Sequence, residues 1–153
     1  MVELTGIGVG RGVAAGPVLR MPEPLSEPAD VERSDEAETE MARATQALAD
    51  VREWLNSRAT LAGEEAAAVL EAQALMAGDP AIAQRILAGR TAERAVFDAF
   101  DAFAKLLSDM GGYMAERVAD LADISQRVIA VLRGVPAPGV PDSDEPFVLV
   151  AHD

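Results

Sequence analysis

The first segment whose residue types could do chemistry is the glycine-rich start of the chain. Residues 6–12 read GIGVGRG, and glycine-rich turns that open a helix can bind phosphate through backbone N–H groups. A dinucleotide-binding fingerprint needs glycine at relative positions one, three and six. Counted from Gly6 the sixth position is Arg11, and counted from Gly8 it is Val13. We therefore interpret these glycines as residues that allow tight turns beside strands.

His152 is the only histidine of the chain, so it is the only candidate for histidine chemistry. The chain has no cysteine, and no second histidine could complete a metal-ligand cluster with it. We interpret His152 as a free side chain near the end of a strand. The sequence therefore predicts no catalytic residue and no metal site.

Three carboxylates, Glu64, Glu65 and Glu71, lie on one predicted helix. Paired carboxylates can do acid–base work or bind a cation, but only in a concave apolar setting that shifts one pKa. Sequence spacing does not establish such a setting. A solvated acidic face is the alternative, and we favour it for most of these residues.

The chain is strongly acidic, with 26 Asp and Glu against 13 Lys and Arg among 153 residues, which gives a net charge of −13. A polyanion is repelled by nucleic acid and by anionic lipid headgroups, so we expect neither nucleic acid nor a membrane as a partner. No apolar run is long enough for a secretory leader or a membrane span. We expect a cytoplasmic protein with a basic protein partner.

Much of this charge is concentrated in one predicted helical pair. Residues 30–79 contain 12 Asp and Glu and 4 Arg, so this segment carries −8 of the −13. Leu75 and Met76 stand near the turn of the pair. The pair could dock a basic protein, with charge setting the encounter rate and apolar burial the lifetime of the complex. In the alternative, Leu75 and Met76 are core residues and the charge only keeps the domain soluble.

The middle of the chain is rich in alanine and periodic, and it predicts four or five helices. In the first, apolar residues recur at spacings of 4, 3, 4, 3 and 4, which is typical of a helix in an antiparallel hairpin or a short coiled coil. These residues are Ala37, Met41, Ala44, Leu48, Val51 and Leu55. A second helix is predicted from about Leu61 to Ala77.

Punctuating residues predict where the later helices begin and end. Asp79-Pro80 starts a short helix that ends near Gly89, because Asp caps free N–H groups and Pro fits the first turn. Thr91 caps the next helix, which runs to Gly111-Gly112. Its apolar seam consists of Val96, Phe100, Phe103, Leu107 and Met110. A last helix, predicted to stop at Gly134, contains Met114, Val118, Leu121 and Val128.

Both ends of the chain predict strands. Residues 4–9 and 13–20 are short and separated by glycine, and they could form a hairpin. Residues 147–150 form a continuous apolar run, which is typical of a strand buried on both faces. Such a strand needs neighbours, so we expect the complete fold to require residues after Asp153.

Several segments stand in an order and spacing that matches a known family. They are residues 6–9 (GIGV), 12–17 (GVAAGP), 63–73 (GEEAAAVLEAQ), 79–80 (DP), 113–124 (YMAERVADLADI) and 147–153 (FVLVAHD). Together they span nearly the whole chain. In this order and spacing, the chain resembles enzyme I of the bacterial sugar phosphotransferase system.

The resemblance implies a mostly α fold. An antiparallel helical-hairpin bundle, which docks the phosphocarrier protein HPr, is inserted into a truncated β/α phosphohistidine domain. The implied division places the first strands in residues 1–25, the helical HPr-binding domain in residues 26–134, a linker in residues 135–146 and the returning strand in residues 147–153.

The resemblance also implies a function. In that family a phosphoryl group passes from phosphoenolpyruvate to a histidine and then to HPr, with magnesium, in a homodimer formed through a C-terminal domain. The family's histidine lies in a Gly-Gly-x-Thr-Ser-His segment, which this chain does not contain, and His152 is not its counterpart. We therefore expect an N-terminal fragment of a phosphoenolpyruvate-protein phosphotransferase that docks HPr, holds no cofactor and transfers no phosphoryl group.

Eight residues are assigned to the HPr-docking surface by the resemblance. Glu64 and Glu65 match an acidic pair that faces basic residues of the carrier. The other six are Leu75, Met76 and Ile82 around a helix break, and Leu106, Met114 and Arg117 on the other hairpin. Three departures could weaken or re-tune carrier choice: Gln73 replaces His, Gly10-Arg11 replaces Ser-Pro, and Pro80-Ala81 replaces acidic residues of some relatives.

A second hypothesis, from a different class, is a freestanding acidic helical adaptor that binds a basic protein and has no catalytic half. The coding DNA beyond Asp153 distinguishes the two. A Gly-Gly-x-Thr-Ser-His segment downstream favours the enzyme, and a natural stop codon favours the adaptor.

Overall fold

The structure, a computed structural model, describes residues 5–62 and 80–151, and side chains in the first range as far as residue 57. Within these ranges the chain forms five helices and two short strands. The helices are α1 (Ala37–Ala62), α2 (Pro80–Leu87), α3 (Ala92–Met110), α4 (Gly112–Glu116) and α5 (Val118–Arg133), and the strands are β1 (Val18–Arg20) and β2 (Val148–Val150). The prediction of a mostly α chain is confirmed.

The predicted seam of α1 faces the core of the helical bundle. Ala44, Leu48 and Val51 are buried, and the flanking Met41 and Leu55 pack against the same cluster. Residues three and four positions apart share one face of a helix, so this spacing turns a single stripe of α1 inward.

The helices α3 and α5 pack side by side and run in opposite directions. Arg43 on α1 shows this, because its guanidinium donates both to Glu93 at the start of α3 and to the Leu132 carbonyl at the end of α5. Among the described residues, the largest fully buried side chains are Phe100, Ile86, Leu121, Ile129, Val96 and Val128. The predicted antiparallel arrangement is confirmed for this helix pair.

Both ends of α3 lie where the sequence predicts them. Thr91 has extended backbone angles, φ −67° and ψ 159°, and its hydroxyl accepts a hydrogen bond from the Arg94 N–H at 3.2 Å. This bond satisfies one of the N–H groups that the first turn of a helix leaves without a partner. At the other end, Gly111 and Gly112 have φ of 69° and 55°, a left-handed region that favours glycine.

Two helix boundaries differ from the prediction. α1 continues to Ala62, whereas the sequence predicts a second helix from about Leu61; the rest of that predicted helix lies outside the described residues. The last helix is divided at Arg117 into α4 and α5, because the Arg117 N–H bonds to the Met114 carbonyl three residues earlier and tightens the turn. The predicted end at Gly134 is confirmed, with a left-handed φ of 65°.

The two strands pair with each other in parallel, with Val18 opposite Val148 and Arg20 opposite Val150. A parallel pair needs a long crossover, and here the crossover contains the whole helical bundle. The predicted hairpin of residues 4–9 with residues 13–20 is therefore wrong. Residues 5–9 are irregular and exposed, because a pair of short strands without a buried face has little to stabilise it.

Cover on both faces, which the sequence predicts for the last strand once it has further neighbours, is not seen among the described residues. Leu149 and Val150 of β2 are both exposed. Within the part of the chain that the structure describes, β1 is the only strand paired with β2, so the two-stranded sheet has little to cover it.

Both connections between the sheet and the bundle are bonded to helices. In the segment between β1 and α1, Glu27 accepts a hydrogen bond from Arg94 of α3 at 2.7 Å. On the way out, the Trp54 indole N–H of α1 donates to Asp142 at 3.2 Å, and Arg127 lies over the Trp54 ring at 3.9 Å from its centroid. Side chains of α3 and α1 thus hold the two connecting segments against the bundle.

Candidate protein-docking surface

Four large apolar side chains are exposed around the break between α3 and α4. They are Leu106, Met110, Tyr113 and Met114. Leu106 is 55% exposed and Met114 is 41% exposed. We name these four residues, together with Arg117, the α3–α4 corner. A group of exposed apolar side chains on an otherwise acidic chain is typical of a protein-binding surface.

The backbone at the α3–α4 corner explains this exposure. Leu107 is buried, and Leu106 is turned about 100° away from it around the helix. Met110 lies one turn after Leu106, so the two side chains share the outer face of α3. Gly111 and Gly112 then end the helix with positive φ, and α4, which has no buried residue, packs against α3.

Arg117 is held at the junction of α4 and α5 by neighbours on both sides. Its guanidinium carbon lies 4.5 Å from the centroid of the Tyr113 ring, and one of its nitrogens donates a hydrogen bond to the Tyr113 hydroxyl. The other terminal nitrogen, Nη1, lies 3.2 Å from a carboxylate oxygen of Asp120. The hydrogen bond to Tyr113 and then the contact with Asp120 raise the pKa of Arg117, so it stays positively charged.

Among the four predicted docking residues that the structure describes, Ile82 is the one that lies in the interior. Its side chain is 6% exposed and belongs to the core cluster together with Ile86, which is buried four residues later. The two side chains therefore share the inner face of α2. Ile82 does not join the exposed α3–α4 corner, and its assignment to the docking surface stays a prediction.

Four predicted docking residues lie outside the described residues. They are Glu64, Glu65, Leu75 and Met76. Gln73, the helix-starting Asp79 and His152 also lie outside them. Of the eight predicted docking residues, Leu106 and Met114 are exposed on either side of the break between α3 and α4, and Arg117 lies at the junction of α4 and α5.

Met110 and Tyr113 belong to the α3–α4 corner, although the sequence analysis did not assign them to the docking surface. The periodicity of α3 predicts Met110 as part of the core seam, but its side chain is 62% exposed. The signal that could have identified it is the Gly111-Gly112 break directly after it, because a helix that ends there offers no further turn for the seam to pack on. For Tyr113 the signal is the four-residue spacing to Arg117.

A second polar cluster, at the other end of α3, has a structural role. The Glu40 carboxylate is buried, and it accepts hydrogen bonds from the Ala92 N–H at 2.6 Å and from Arg43 at 3.0 Å. Arg43 in turn contacts Glu93 at 2.5 Å, and this hydrogen bond raises the pKa of Arg43. A carboxylate from α1 thus caps the positive end of the α3 dipole.

The chemistry that the described residues offer at the α3–α4 corner is binding, with an apolar contact area and one oriented guanidinium. In residues 5–62 and 80–151, no group of three or more acidic or histidine side chains is arranged to hold a metal ion. None of the helices in those ranges is both long and apolar enough to cross a membrane.

A family model and several known proteins match most of the chain. A family model described as PEP-utilising enzyme, N-terminal, matches residues 5–117. A phosphoenolpyruvate-protein phosphotransferase of Streptomyces coelicolor is 52% identical to this chain, and one of Bacillus subtilis is 29% identical. The alignments cover 98% and 100% of this chain but 28% of each relative, so the chain spans just over a quarter of their length.

One solved structure also has the same fold. A solution NMR structure of an Enzyme I protein matches with a TM-score of 0.69 and 26% sequence identity, over 90% of this chain and 60% of that chain. These matches confirm the resemblance that the sequence segments indicate. The whole α3–α4 corner lies within the residues matched by the family model.

Proposed function

Since the chain belongs to the PEP-utilising enzyme family, whose N-terminal model matches residues 5–117, we propose that it is the N-terminal part of a phosphoenolpyruvate-protein phosphotransferase and docks the phosphocarrier HPr. In the proposed full-length protein, a phosphoryl group passes from phosphoenolpyruvate to a histidine and then to HPr. We assign magnesium and the homodimer contact to that longer protein, as the family resemblance implies; the chain spans 28% of the length of its relative from Streptomyces coelicolor.

The α3–α4 corner is the observation that carries the docking proposal. Interfaces of this kind have an apolar centre that excludes water and a polar rim that sets orientation. Leu106, Met110 and Met114 form the apolar centre, and Arg117 lies at its rim as an oriented donor. Removing apolar area from water lowers the free energy, so a group of exposed apolar side chains at one corner favours the binding of a partner there.

The remaining assigned residues complete the proposed surface. In this proposal Leu75 and Met76 add apolar contacts with the carrier, and Glu64 and Glu65 attract its basic residues. The net charge of −13 also attracts a basic partner over a distance, which raises the association rate. Ile82 is buried on the inner face of α2, and its assignment to the docking surface stays a prediction.

A calorimetric titration of the chain with HPr at several salt concentrations tests docking. We expect binding that weakens as salt rises, because the Debye length falls from about 10 Å at 0.1 M to about 3 Å at 1 M. Failure to bind at low salt would reject docking. Binding that does not respond to salt would reject the electrostatic attraction and leave the apolar contact.

A charge reversal tests the part of Glu64 and Glu65. The double change Glu64→Lys with Glu65→Lys should slow association with HPr and leave helicity unchanged, because exposed charges contribute little to stability and much to encounter. The matched control is Glu36→Lys with Glu38→Lys, which makes the same charge change at the start of α1. Equal slowing by both pairs would show an effect of net charge and not of a docking position.

The proposal also includes that this chain transfers no phosphoryl group by itself. His152 is its only histidine, and no Gly-Gly-x-Thr-Ser-His segment is present. Incubation with labelled phosphoenolpyruvate, magnesium and HPr should label a full-length relative but not this chain. Label on His152 would overturn this part of the proposal and leave docking untouched.

A further inference from the structure

We propose that Tyr113 is a positioning residue that holds the Arg117 guanidinium, before the carrier arrives, in the orientation that docking uses. The inference rests on the proposed docking function and adds to it the part of Tyr113. Three residues carry it, and they span the junction between α4 and α5: Tyr113 in α4, Arg117 at the break and Asp120 in α5.

The spacing puts these three side chains on one side of the junction. Tyr113 lies four residues before Arg117 and Asp120 three residues after it, and side chains at these separations are neighbours on a helix surface. The guanidinium lies over the Tyr113 ring at 4.5 Å and also donates to the Tyr113 hydroxyl. Its other terminal nitrogen contacts Asp120 at 3.2 Å. Two hydrogen bonds and one ring contact therefore restrict both the position and the plane of the guanidinium.

The nitrogen Nε of Arg117 is shielded from solvent and has no hydrogen-bond partner. The N–H groups that can reach a docked protein are therefore those of the two terminal nitrogens that Tyr113 and Asp120 leave over. The side chain is 23% exposed, so part of the guanidinium is accessible to a partner. A hydrogen-bond acceptor oxygen on the carrier is the chemistry that matches them.

The location of Tyr113 argues against a purely structural role. The ring is 57% exposed, and α4 contains no buried residue, so its hydroxyl contributes little to holding the bundle together. Exposed hydrogen bonds add little to stability because water replaces them. Holding a long side chain in place before binding does help a complex, because less rotamer freedom is lost on docking.

The charges around Arg117 in the sequence explain why a fixed guanidinium would help docking. From Leu106 to Arg117 it is the only positively charged residue, and two carboxylates, Asp109 and Glu116, occur in the same segment. A flexible cation in this segment would be drawn toward those carboxylates, whereas a guanidinium held by Tyr113 keeps one direction. Tyr113 thus keeps an N–H donor of Arg117 available to the carrier within an acidic segment.

A double-mutant cycle with HPr tests the inference. Tyr113→Phe keeps the ring and removes the hydroxyl, and we expect it to weaken HPr binding about threefold to tenfold by freeing the guanidinium. In an Arg117→Ala background the same change should have no effect on binding. A Tyr113→Phe effect that persists without Arg117 would overturn the positioning role, as would an Arg117→Ala variant that binds HPr as well as the unchanged chain.

A measurement on the chain without carrier separates this inference from the docking proposal. Rotation of the Arg117 guanidinium, followed by NMR of its terminal nitrogens, should be slower in the unchanged chain than in Tyr113→Phe, with the same free energy of unfolding in both. Equal rotation would overturn the inference even if HPr binds. If HPr does not bind at all, the docking proposal fails, and with it the use of the orientation in docking, while the rotation still decides whether Tyr113 holds Arg117.

Discussion

The two ends of α3 differ in which side chains surround them. At the Thr91 end, polar groups from three helices are bonded to one another around the buried Glu40 and Ala92. At the α3–α4 corner, large apolar side chains face solvent and the helix simply stops at two glycines. This difference indicates that the residues at the Thr91 end stabilise the fold, whereas those at the α3–α4 corner leave apolar surface that a partner could cover.

The Thr91 end is closed by bonds that cross between helices. The Thr91 hydroxyl caps α3 from its own chain segment, and Glu40 caps it from α1 by accepting the Ala92 N–H. Arg43 joins Glu40 to Glu93 and to the end of α5. Because a buried carboxylate is costly unless it is hydrogen-bonded, this set of bonds must form together for the end to be stable.

The largest expected effect comes from breaking the Thr91 end. Glu40→Ala leaves the buried Ala92 N–H without an acceptor and removes a partner of Arg43, so the free energy of unfolding should fall by about 3 kcal/mol. Thermal unfolding would show this as a midpoint lower by roughly 5–10 °C. Glu38→Ala, an exposed glutamate on the same helix, is the control and should change little. Equal loss in both variants would mean that the cap itself contributes nothing.

The next largest effect is expected from a substitution at the α3–α4 corner. It should weaken HPr binding and leave the free energy of unfolding unchanged. Leu106→Asp places a charge in the apolar centre of the proposed interface, and we expect HPr binding to weaken at least about tenfold, or about 1.4 kcal/mol. Leu87→Asp is the matched control, because Leu87 is 63% exposed at the end of α2. Calorimetric titration of both variants with HPr measures the two affinities. Should Leu87→Asp weaken binding as much, the α3–α4 corner would not be the docking site.

A smaller loss of stability is expected from the cap of α3. Thr91→Ala removes the acceptor for the Arg94 N–H, which should lower the free energy of unfolding by about 1 kcal/mol. Thr91→Ser keeps a hydroxyl and should restore most of it. Chemical denaturation followed by circular dichroism measures both. HPr binding should be the same in the two variants, and a change in binding would contradict the division between the two ends.

The smallest effect is expected on the segment that leaves the bundle. Trp54 is the only tryptophan of the chain, so its fluorescence reports on its contact with Asp142 without interference. Asp142→Asn weakens an exposed hydrogen bond and should cost no more than about 0.5 kcal/mol, while the Trp54 emission shifts. Ser143→Ala changes the neighbouring residue and serves as control. An unchanged emission maximum in Asp142→Asn would show that this contact does not form in solution.

The helices of the bundle were predictable from local signals. Thr91 and Gly134 act through their own backbone and nearest neighbours, so the ends of α3 and α5 follow from residue type alone. The α1 seam follows from helical periodicity for the same reason. The split at Arg117 was not predicted, because no proline or glycine marks it and a single tightened turn leaves the periodicity almost unchanged.

The strands and the surface depended on partners distant in sequence. A strand has no internal hydrogen bonds, so nothing local to residues 18–20 indicates that they pair with residues 148–150 rather than with their own neighbours. In the same way, Ile82 and Met110 are both apolar residues on helices, and only the packing of whole helices places one inside and the other outside.

The sequence by itself determined the helical character, the helix caps, the acidic charge and the family resemblance, because each of these depends on residue type and short spacing. Tertiary structure alone decided the parallel pairing of the strands, the cap that Glu40 supplies to another helix and the exposure of the α3–α4 corner. Burial and pairing between distant segments depend on which faces meet, and which faces meet is a property of the whole packed chain.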